Sequence, residues 1–347
     1  MKPVAATIAA LMALCLLTTP APAADYLARA DVRAFIESMR DEHGIDVSDL
    51  EHILGDVRHE PTVVRLLNPE PSSAPSSARS YTRYRSKFIT PNVIAAGTGF
   101  WSQHEADFRR AEEEFGVPPE VILGILGVET SYGRNTGSFR ALDALATAAF
   151  DGARRQSFFR DELKALILLS RERGIDPLVI KGSYAGAVGL PQFMPSSYRK
   201  YAVDYDGDGA IDLLGSPADA IGSIAAYIKA FGWVPGETPT AHVRLLPGSE
   251  TELVSGLARV HDIMEVQGKG VVFRGAEPPA GPCSIFELPT PGEASKYVAG
   301  FKNFEAITRY NRSTFYASTV LELGNEIIKA AEREQRSSAG VTAIVAR

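Results

Sequence analysis

One segment, Val117 to Gly133, constrains this chain more than any other. It reads Val-Pro-Pro-Glu-Val-Ile-Leu-Gly-Ile-Leu-Gly-Val-Glu-Thr-Ser-Tyr-Gly. Pro118 and Pro119 suit the first turn of a helix and Gly133 suits its stop. Ile122, Ile125 and Leu126 define a buried stripe, and Glu129 lies on that stripe, at i+7 from Ile122 and i+4 from Ile125. A carboxylate placed there must be paired, hydrogen-bonded or protonated, because burying it charged and alone is expensive. Desolvation raises its pKa, which is what a general acid at neutral pH needs. Gly124 and Gly127 weaken a helix, so something must approach its backbone closely. Periodicity alone leaves two readings open: a catalytic acid, or a helix-end Glu satisfied by an Arg or by backbone donors.

The rest of the chain is mostly helical in pattern. Val32, Phe35, Ile36 and Met39 share one face, and Leu50, Ile53, Leu54 and Val57 repeat it. Pro69 to Ser80 is a Pro/Ser/Ala stretch and reads as a linker. Helical segments are expected from Pro91, over Ala141 to Phe150, Phe158 to Arg173 and Asp219 to Phe231, then over Phe304 to Tyr310 and Tyr316 to Arg333. Between Ala241 and Pro291 short β-branched runs such as Val271-Val272-Phe273 sit among Gly and Pro, as in a small strand-containing insert. The expected organisation is a signal segment (1–23), an N-terminal helical part (24–68) and a linker (69–80). A helical core (81–240), an insert (241–303), C-terminal helices (304–336) and a frayed tail (337–347) complete it.

Lys2, the apolar run Val4 to Leu17 and Ala21-Pro22-Ala23 resemble an export signal with its cleavage site. Removing residues 1–23 takes away Lys2 and no acid, so the formal charge goes from −6 to −7. That balance argues against nonspecific nucleic-acid binding. Of the two cysteines, Cys15 leaves with the signal and Cys283 has no intramolecular partner, so the fold does not rest on a disulfide. No heptads sustain a coiled coil, and a monomer is expected.

Several motifs occur together. They are Gly127-Val128-Glu129-Thr130-Ser131-Tyr132-Gly133, Lys181-Gly182-Ser183-Tyr184-Ala185-Gly186-Ala187-Val188-Gly189 and Gln192-Phe193-Met194-Pro195-Ser196-Ser197-Tyr198. Arg309-Tyr310-Asn311 follows them, and Arg83-Tyr84-Arg85 with Phe88-Ile89-Thr90-Pro91 lies upstream. In this order they resemble the lytic murein transglycosylase B family across nearly the whole mature chain. The resemblance implies a mainly α fold: a lysozyme-like catalytic core, an additional α domain and a small linking domain with short β-strands. It implies a periplasmic enzyme that cleaves the β-1,4 bond between N-acetylmuramic acid and N-acetylglucosamine in peptidoglycan glycan strands, leaving 1,6-anhydromuramoyl ends. Glu129 would be acid and then base. Ser183 would orient the N-acetyl group, and Gln192 and Phe193 would line the glycan groove. Tyr310, Asn311 and Tyr316 would complete the wall around the acid, and Tyr84 and Tyr227 would offer faces to sugar or stem peptide, Tyr227 being equally readable as core. Phe158 stands where a groove Tyr is expected, and Pro191 where Gly is commoner. Cell-wall synthesis or remodelling proteins are the partners such an enzyme would meet.

Asp204-Tyr205-Asp206-Gly207-Asp208-Gly209-Ala210-Ile211-Asp212 resembles the start of an EF-hand loop. Carboxylates stand at positions 1, 3 and 5, Gly209 at position 6, and Ala210 would ligate through its carbonyl. Gly215 replaces the acid at position 12; in the family a later acid serves, here Asp219. A structural Ca2+ is expected and no organic cofactor. Asp212 reads either as a ligand or as the cap of a turn. Two other functions compete: a hydrolytic muramidase, for which Asp143, Asp151 and Asp161 are the available second carboxylates, and a noncatalytic glycan-binding module.

Overall fold

The computed structural model describes residues 26–68, 80–249, 253–275, 277–290 and 292–345. The signal segment and nearly all of the Pro/Ser linker (69–79) lie outside them. The chain divides into two units, Met1–His59 and Glu60–Arg347. The first contains α1 (Ala30–His43) and α2 (Val47–Gly55). Val32, Phe35, Ile36, Met39, Leu50, Leu54 and Val57 are buried as the periodicity requires, while Ile53 of the same pattern is half-buried. Gly44 ends α1 in the left-handed conformation at φ 62°.

The second unit opens with α3 (Pro61–Leu67) and α4 (Tyr81–Arg85). α5 (Pro91–Phe115) is capped by Thr90, whose hydroxyl accepts from the Val93 amide. α6 (Pro119–Thr130) then runs through the core. A two-residue strand β1 (Phe139–Arg140) leads into α7 (Ala141–Phe150), which is followed by α8 (Gln156–Arg173). β1 pairs antiparallel with β2 (Lys181–Gly182). α9 (Pro195–Tyr201) and α10 (Pro217–Ala230) complete this helical part.

The insert is more ordered than the scattered β-branched runs suggest. β3 (Thr240–Leu245), β4 (His261–Asp262), β5 (Val271–Phe273), β6 (Pro282–Leu288) and β7 (Lys296–Gly300) form one antiparallel sheet in the order β4-β6-β7-β3-β5, with α11 (Ile263–Gly268) between β4 and β5. Its own small core holds Val243, Val266, Val271, Ile285 and Phe301. Cys283 is buried there as a free thiol, its pKa pushed up to about 11 by burial. After the sheet, α12 (Lys302–Thr308) and α13 (Thr314–Val345) return to the helical core. α13 spans Thr314–Val345 and so includes most of the expected tail.

α6 also differs from expectation. Instead of one buried stripe, every residue from Val121 to Gly127 is buried, because α5, α10 and α13 enclose it. Its tightest neighbour is α13, which crosses it antiparallel. A Cβ on Gly124 would sit 2.1 Å from the Val320 carbonyl oxygen, and one on Gly324 would sit 1.7 Å from that of Glu120. The glycines thus let two backbones touch, and this contact brings the start of α13 beside the end of α6.

Candidate active site

Glu129 occupies the last turn of α6, half-buried. The helix stops earlier than Gly133: Ser131 and Tyr132 both take left-handed backbone, at φ 49° and 60°, before Gly133 at φ 83°. Such conformations cost on the order of 1 kcal/mol each for non-glycine residues, so they need outside support. The support is visible. Ser131 and Tyr132 amides donate back to the Gly127 and Leu126 carbonyls. The Tyr132 ring folds along α6, where its hydroxyl donates to the Leu123 carbonyl at 3.2 Å. A Cβ on Gly127 would meet that hydroxyl at 2.5 Å, so this glycine is the slot for Tyr132.

Thr130 does three things at once. Its hydroxyl accepts from the Gly133 amide at 3.0 Å and donates to the Leu190 carbonyl at 3.0 Å, with a longer contact of 3.4 Å to the Leu126 carbonyl. The helix end is thereby tied to a tight hairpin in which Val188 and Phe193 exchange backbone hydrogen bonds. Gln192 sits in that hairpin at φ 51°, and its side-chain amide donates to the Thr136 and Gly189 carbonyls at 3.0 and 2.9 Å. The Tyr310 hydroxyl donates to the Pro191 carbonyl at 2.7 Å. Gln192 and Tyr310 therefore brace the loop beside the acid.

Tyr316, on the first turn of α13, donates its hydroxyl to Glu129 Oε1 at 2.6 Å. Burial pushes the Glu129 carboxyl up to about 7, and the Tyr316 bond pulls part of the way back. Tyr310 and Tyr316 are both held well above the usual phenol range, by burial and then by the Glu129 charge, so they remain proton donors. Tyr84 is raised for the same two reasons, which places it within the field of Glu129. Its ring packs against Phe88 and Phe315, with centroids 5.3 and 5.8 Å away.

The other expected site residues divide. The Ser183 oxygen accepts from the Ala187 amide at 3.1 Å, closing the Gly-rich turn, and its hydroxyl hydrogen remains available. Asn311 is exposed in the loop between α12 and α13. Phe193 is corrected from groove to core: it is 2% exposed, between Tyr227 and Tyr310. Tyr227 is likewise core, buried among Tyr201, Phe231 and Tyr310, and its hydroxyl donates to the Arg309 carbonyl. An aromatic adjoining a motif points inward here because the hairpin alternates its side chains. Phe158 lies on the first turn of α8 beneath the Arg155 guanidinium, 4.0 Å from its centroid.

Among the described residues no second carboxylate joins Glu129. Burial and Tyr316 are the causes of its shift, and neither is an acid. Asp143 is buried in a bidentate pair with Arg140 at 2.6 and 2.8 Å, Asp151 caps the end of α7, and Asp161 is exposed on α8.

The acidic loop brings together Asp204, Asp206 and Asp219, with one oxygen of each within 4.8 Å of the others. Asp208 stands outside that group: its carboxylate accepts from the Ala210 amide, and Ala210 is exposed. Asp212 caps a turn through the Leu214 and Gly215 amides. Asp219 is 1% exposed, and the Tyr205, Asp206 and Asp212 amides point at it. Among the described residues no cationic side chain pairs with these three acids. That hard oxygen donor set fits Ca2+.

The Transglycosylase SLT domain family matches residues 28–325, most of the chain. The chain belongs to this family. It is 41% identical over 316 residues to Membrane-bound lytic murein transglycosylase B of Escherichia coli (strain K12), covering 88% of this chain and 85% of that one. It superposes on the Escherichia coli lytic transglycosylase Slt35, solved in complex with bulgecin A, with TM-score 0.82 and 40% identity over 89% of this chain and 96% of that one. The same protein has been solved in complex with calcium. SltB3 of Pseudomonas aeruginosa, in complex with NAG-anhNAM-pentapeptide, aligns with TM-score 0.73 at 29% identity, over 85% and 79% of the two chains. The lysozyme-like, mainly α architecture of this family is the fold described above.

Sequence reading missed Thr130 and Tyr132 as supports of the acid. Gly127 carried the signal for Tyr132, since a glycine in a buried helix turn marks a slot for something. It also missed Glu322 of α13, which accepts from the Tyr81 hydroxyl at 2.8 Å and from Arg85, holding α4 and hence Tyr84 in place. Nothing local in the sequence signals that pairing.

Proposed function

We propose that this member of the family is a peptidoglycan lytic transglycosylase in which Glu129 acts first as general acid and then as general base. The observation that carries the reading is a carboxyl raised to about 7, held by a tyrosine hydroxyl and, among the described residues, without a second acid beside it. Protonated Glu129 gives its proton to the glycosidic oxygen as the bond to C1 breaks. The N-acetyl carbonyl of the muramoyl residue, oriented by the Ser183 hydroxyl, shields C1. The muramoyl 6-hydroxyl then attacks C1 and returns its proton to Glu129, closing the 1,6-anhydro ring with no water consumed. A two-carboxylate glycosidase needs its second group about 5 to 9.5 Å away, so a lone acid favours the internal acceptor over hydrolysis. Tyr316 holds Glu129 through its hydroxyl, Tyr310 braces the loop beside it, and Tyr84 and Asn311 face the glycan.

Asp204, Asp206 and Asp219 would hold Ca2+, with a carbonyl from Ala210 and Asp208 at the loop's outer edge. The ion supplies charge neutralisation and loop rigidity and takes no part in glycan cleavage. The calcium complex of Slt35 supports this. The substrate is the glycan strand of the cell wall, and the protein acts outside the cytoplasm, in the periplasm, after export by its N-terminal segment. No described helix is long and apolar enough to cross a membrane. The membrane-bound relative supports a location at the envelope. Clearing of purified sacculi by the wild type and by Glu129→Gln tests the assignment. Rapid clearing by the first and a loss of at least about a hundredfold in the second is expected; equal clearing by both removes Glu129 from the reaction.

A further inference from the structure

Strand alternation gathers four basic side chains on one face of the insert sheet. His242 and Arg244 stand two apart on β3, so they share a face. Val298 is the Cα partner of His242, and Lys296 lies two residues before it on β7. Val272 is the partner of Arg244, and Arg274 follows Val272 by two residues, just past the end of β5. The Arg274 amide donates to the His242 carbonyl at 2.8 Å, which keeps it in register. The opposite face carries Val243, Val271, Ile285 and Ala299 and is filled by the insert's own core. A one-residue slip would exchange the two faces, so the register that buries the core also fixes the basic set outside.

His242, Arg244, Arg274 and Lys296 line an open cleft of about 840 Å³, and all four are exposed. Among the described residues none of them has an ion pair, and no acid lines the cleft, although the protein carries a formal net charge of −6. Glu322 and Glu326 of α13 line an adjoining cavity that His242 and Lys296 share. Glu322 is taken by Tyr81 and Arg85, and Glu326 by Lys329. Glu287 accepts from the Ser295 hydroxyl and pairs across the sheet with Tyr297, on the opposite face from Lys296. The form of the face separates the anions it could meet. A discrete small anion is held by convergent, buried donors, and here every cation is exposed. A protein partner is anchored by a desolvated apolar core, and here cations dominate. Spread, unpaired cations suit an extended anionic surface, to which their attractions add. Val272, 37% exposed beside Arg244, gives the face an apolar contact among the charges.

We propose that this face of the insert sheet docks on an anionic phospholipid membrane, with Arg244, Arg274 and Lys296 against the phosphate headgroups and Val272 at the lipid–water boundary. The proposal goes beyond glycan cleavage and does not depend on Glu129. Each cation at an anionic lipid surface strengthens binding about fivefold, so three together give about a hundredfold. The attraction fades beyond a Debye length of about 8 Å at physiological salt, so it acts only on a bilayer that the face touches. None of the residues around Glu129 lines this cleft, so docking and cleavage use separate parts of the chain. The insert is then the element that holds the helical core at a membrane.

Co-sedimentation with vesicles tests it, using the chain from residue 24 onward. Vesicles of phosphatidylcholine and phosphatidylglycerol in equal parts should carry the wild type down at low salt. Binding should collapse at high salt and with phosphatidylcholine alone. Arg244→Glu combined with Arg274→Glu should weaken binding by about a hundredfold or more. Arg244→Lys combined with Arg274→Lys should keep it, because a headgroup surface needs charge and not a guanidinium fork. Both positions are exposed, so Tm and the clearing of sacculi should stay at wild-type values in each variant. Equal sedimentation with the two kinds of vesicle, no sedimentation with either, or unchanged binding by the charge-reversed variant overturns the proposal. Displacement by millimolar inorganic phosphate at constant ionic strength would reveal a discrete anion site instead. Tighter binding to polyglutamate than to the vesicles would point to an acidic protein partner, and either result also overturns it.

Discussion

Glu129 is useful because its surroundings are inhospitable to charge. Its carboxyl is held at about 7 by burial, against a partial correction from Tyr316. A carboxyl raised on folding stabilises the protein at low pH; that contribution is lost as pH rises from the unfolded value near 4.5 through 7. Replacing it with a neutral isostere removes the cost. Glu129→Gln should therefore be more stable than wild type at pH 8, by up to about 3 kcal/mol, with the difference shrinking toward pH 4. Thermal unfolding at both pH values checks this, and a variant less stable at pH 8 would contradict the burial. Tyr316→Phe removes the one bond that lowers the Glu129 pKa. The alkaline limb of its pH–rate profile should move upward, while kcat falls about tenfold or more as the carboxyl loses its orientation. An unmoved limb would mean the Tyr316 bond is not felt by the acid.

At the scale of elements, the crossing of α6 and α13 sets the site, and glycines set the crossing. Gly→Ala in a helix interior ordinarily stabilises by about 0.5–1 kcal/mol. Gly124→Ala and Gly324→Ala should do the opposite, because each added Cβ meets a carbonyl oxygen of the other helix. A loss of about 2 kcal/mol or more is expected, with activity falling as Tyr316 is pushed off Glu129; chemical denaturation and clearing assays read both. The acidic loop is a second element-scale device. Asp219 belongs to the first turn of α10, and Arg110 of α5 stacks on the Tyr205 ring at 3.7 Å. Ca2+ held by this loop would tie α10 to α5. Calcium at a hundredfold excess over its Kd should stabilise by about 2.7 kcal/mol. Asp219→Asn should abolish the calcium-dependent rise in Tm, and an identical rise in that variant would remove Asp219 as a ligand.

Across the whole molecule, what the sequence revealed followed from periodicity and from unusual placements. Glu129 was legible because an acid on an apolar helix demands a reason, and Gly124 because a glycine there weakens the helix for no local gain. The burial of α1 and α2 followed the spacing of Val32, Phe35, Ile36 and Met39. Long-range facts were hidden. The full enclosure of α6, the exchange of Phe193 and Tyr227 from groove to core and the pairing of Glu322 with Tyr81 depend on residues far apart in the chain. Their side chains satisfy one another without leaving a local pattern. The sheet of the insert was half-visible for the same reason, since its strands are short and pair out of sequence order. The central claim is that Glu129 transfers a proton to and from a substrate whose own hydroxyl is the acceptor. The most direct measurement is mass spectrometry of muropeptides released from sacculi in water enriched in heavy oxygen. Anhydromuramoyl ends that carry no heavy oxygen, absent with Glu129→Gln, are the expected result; reducing ends labelled with heavy oxygen would show that water is the acceptor and contradict it.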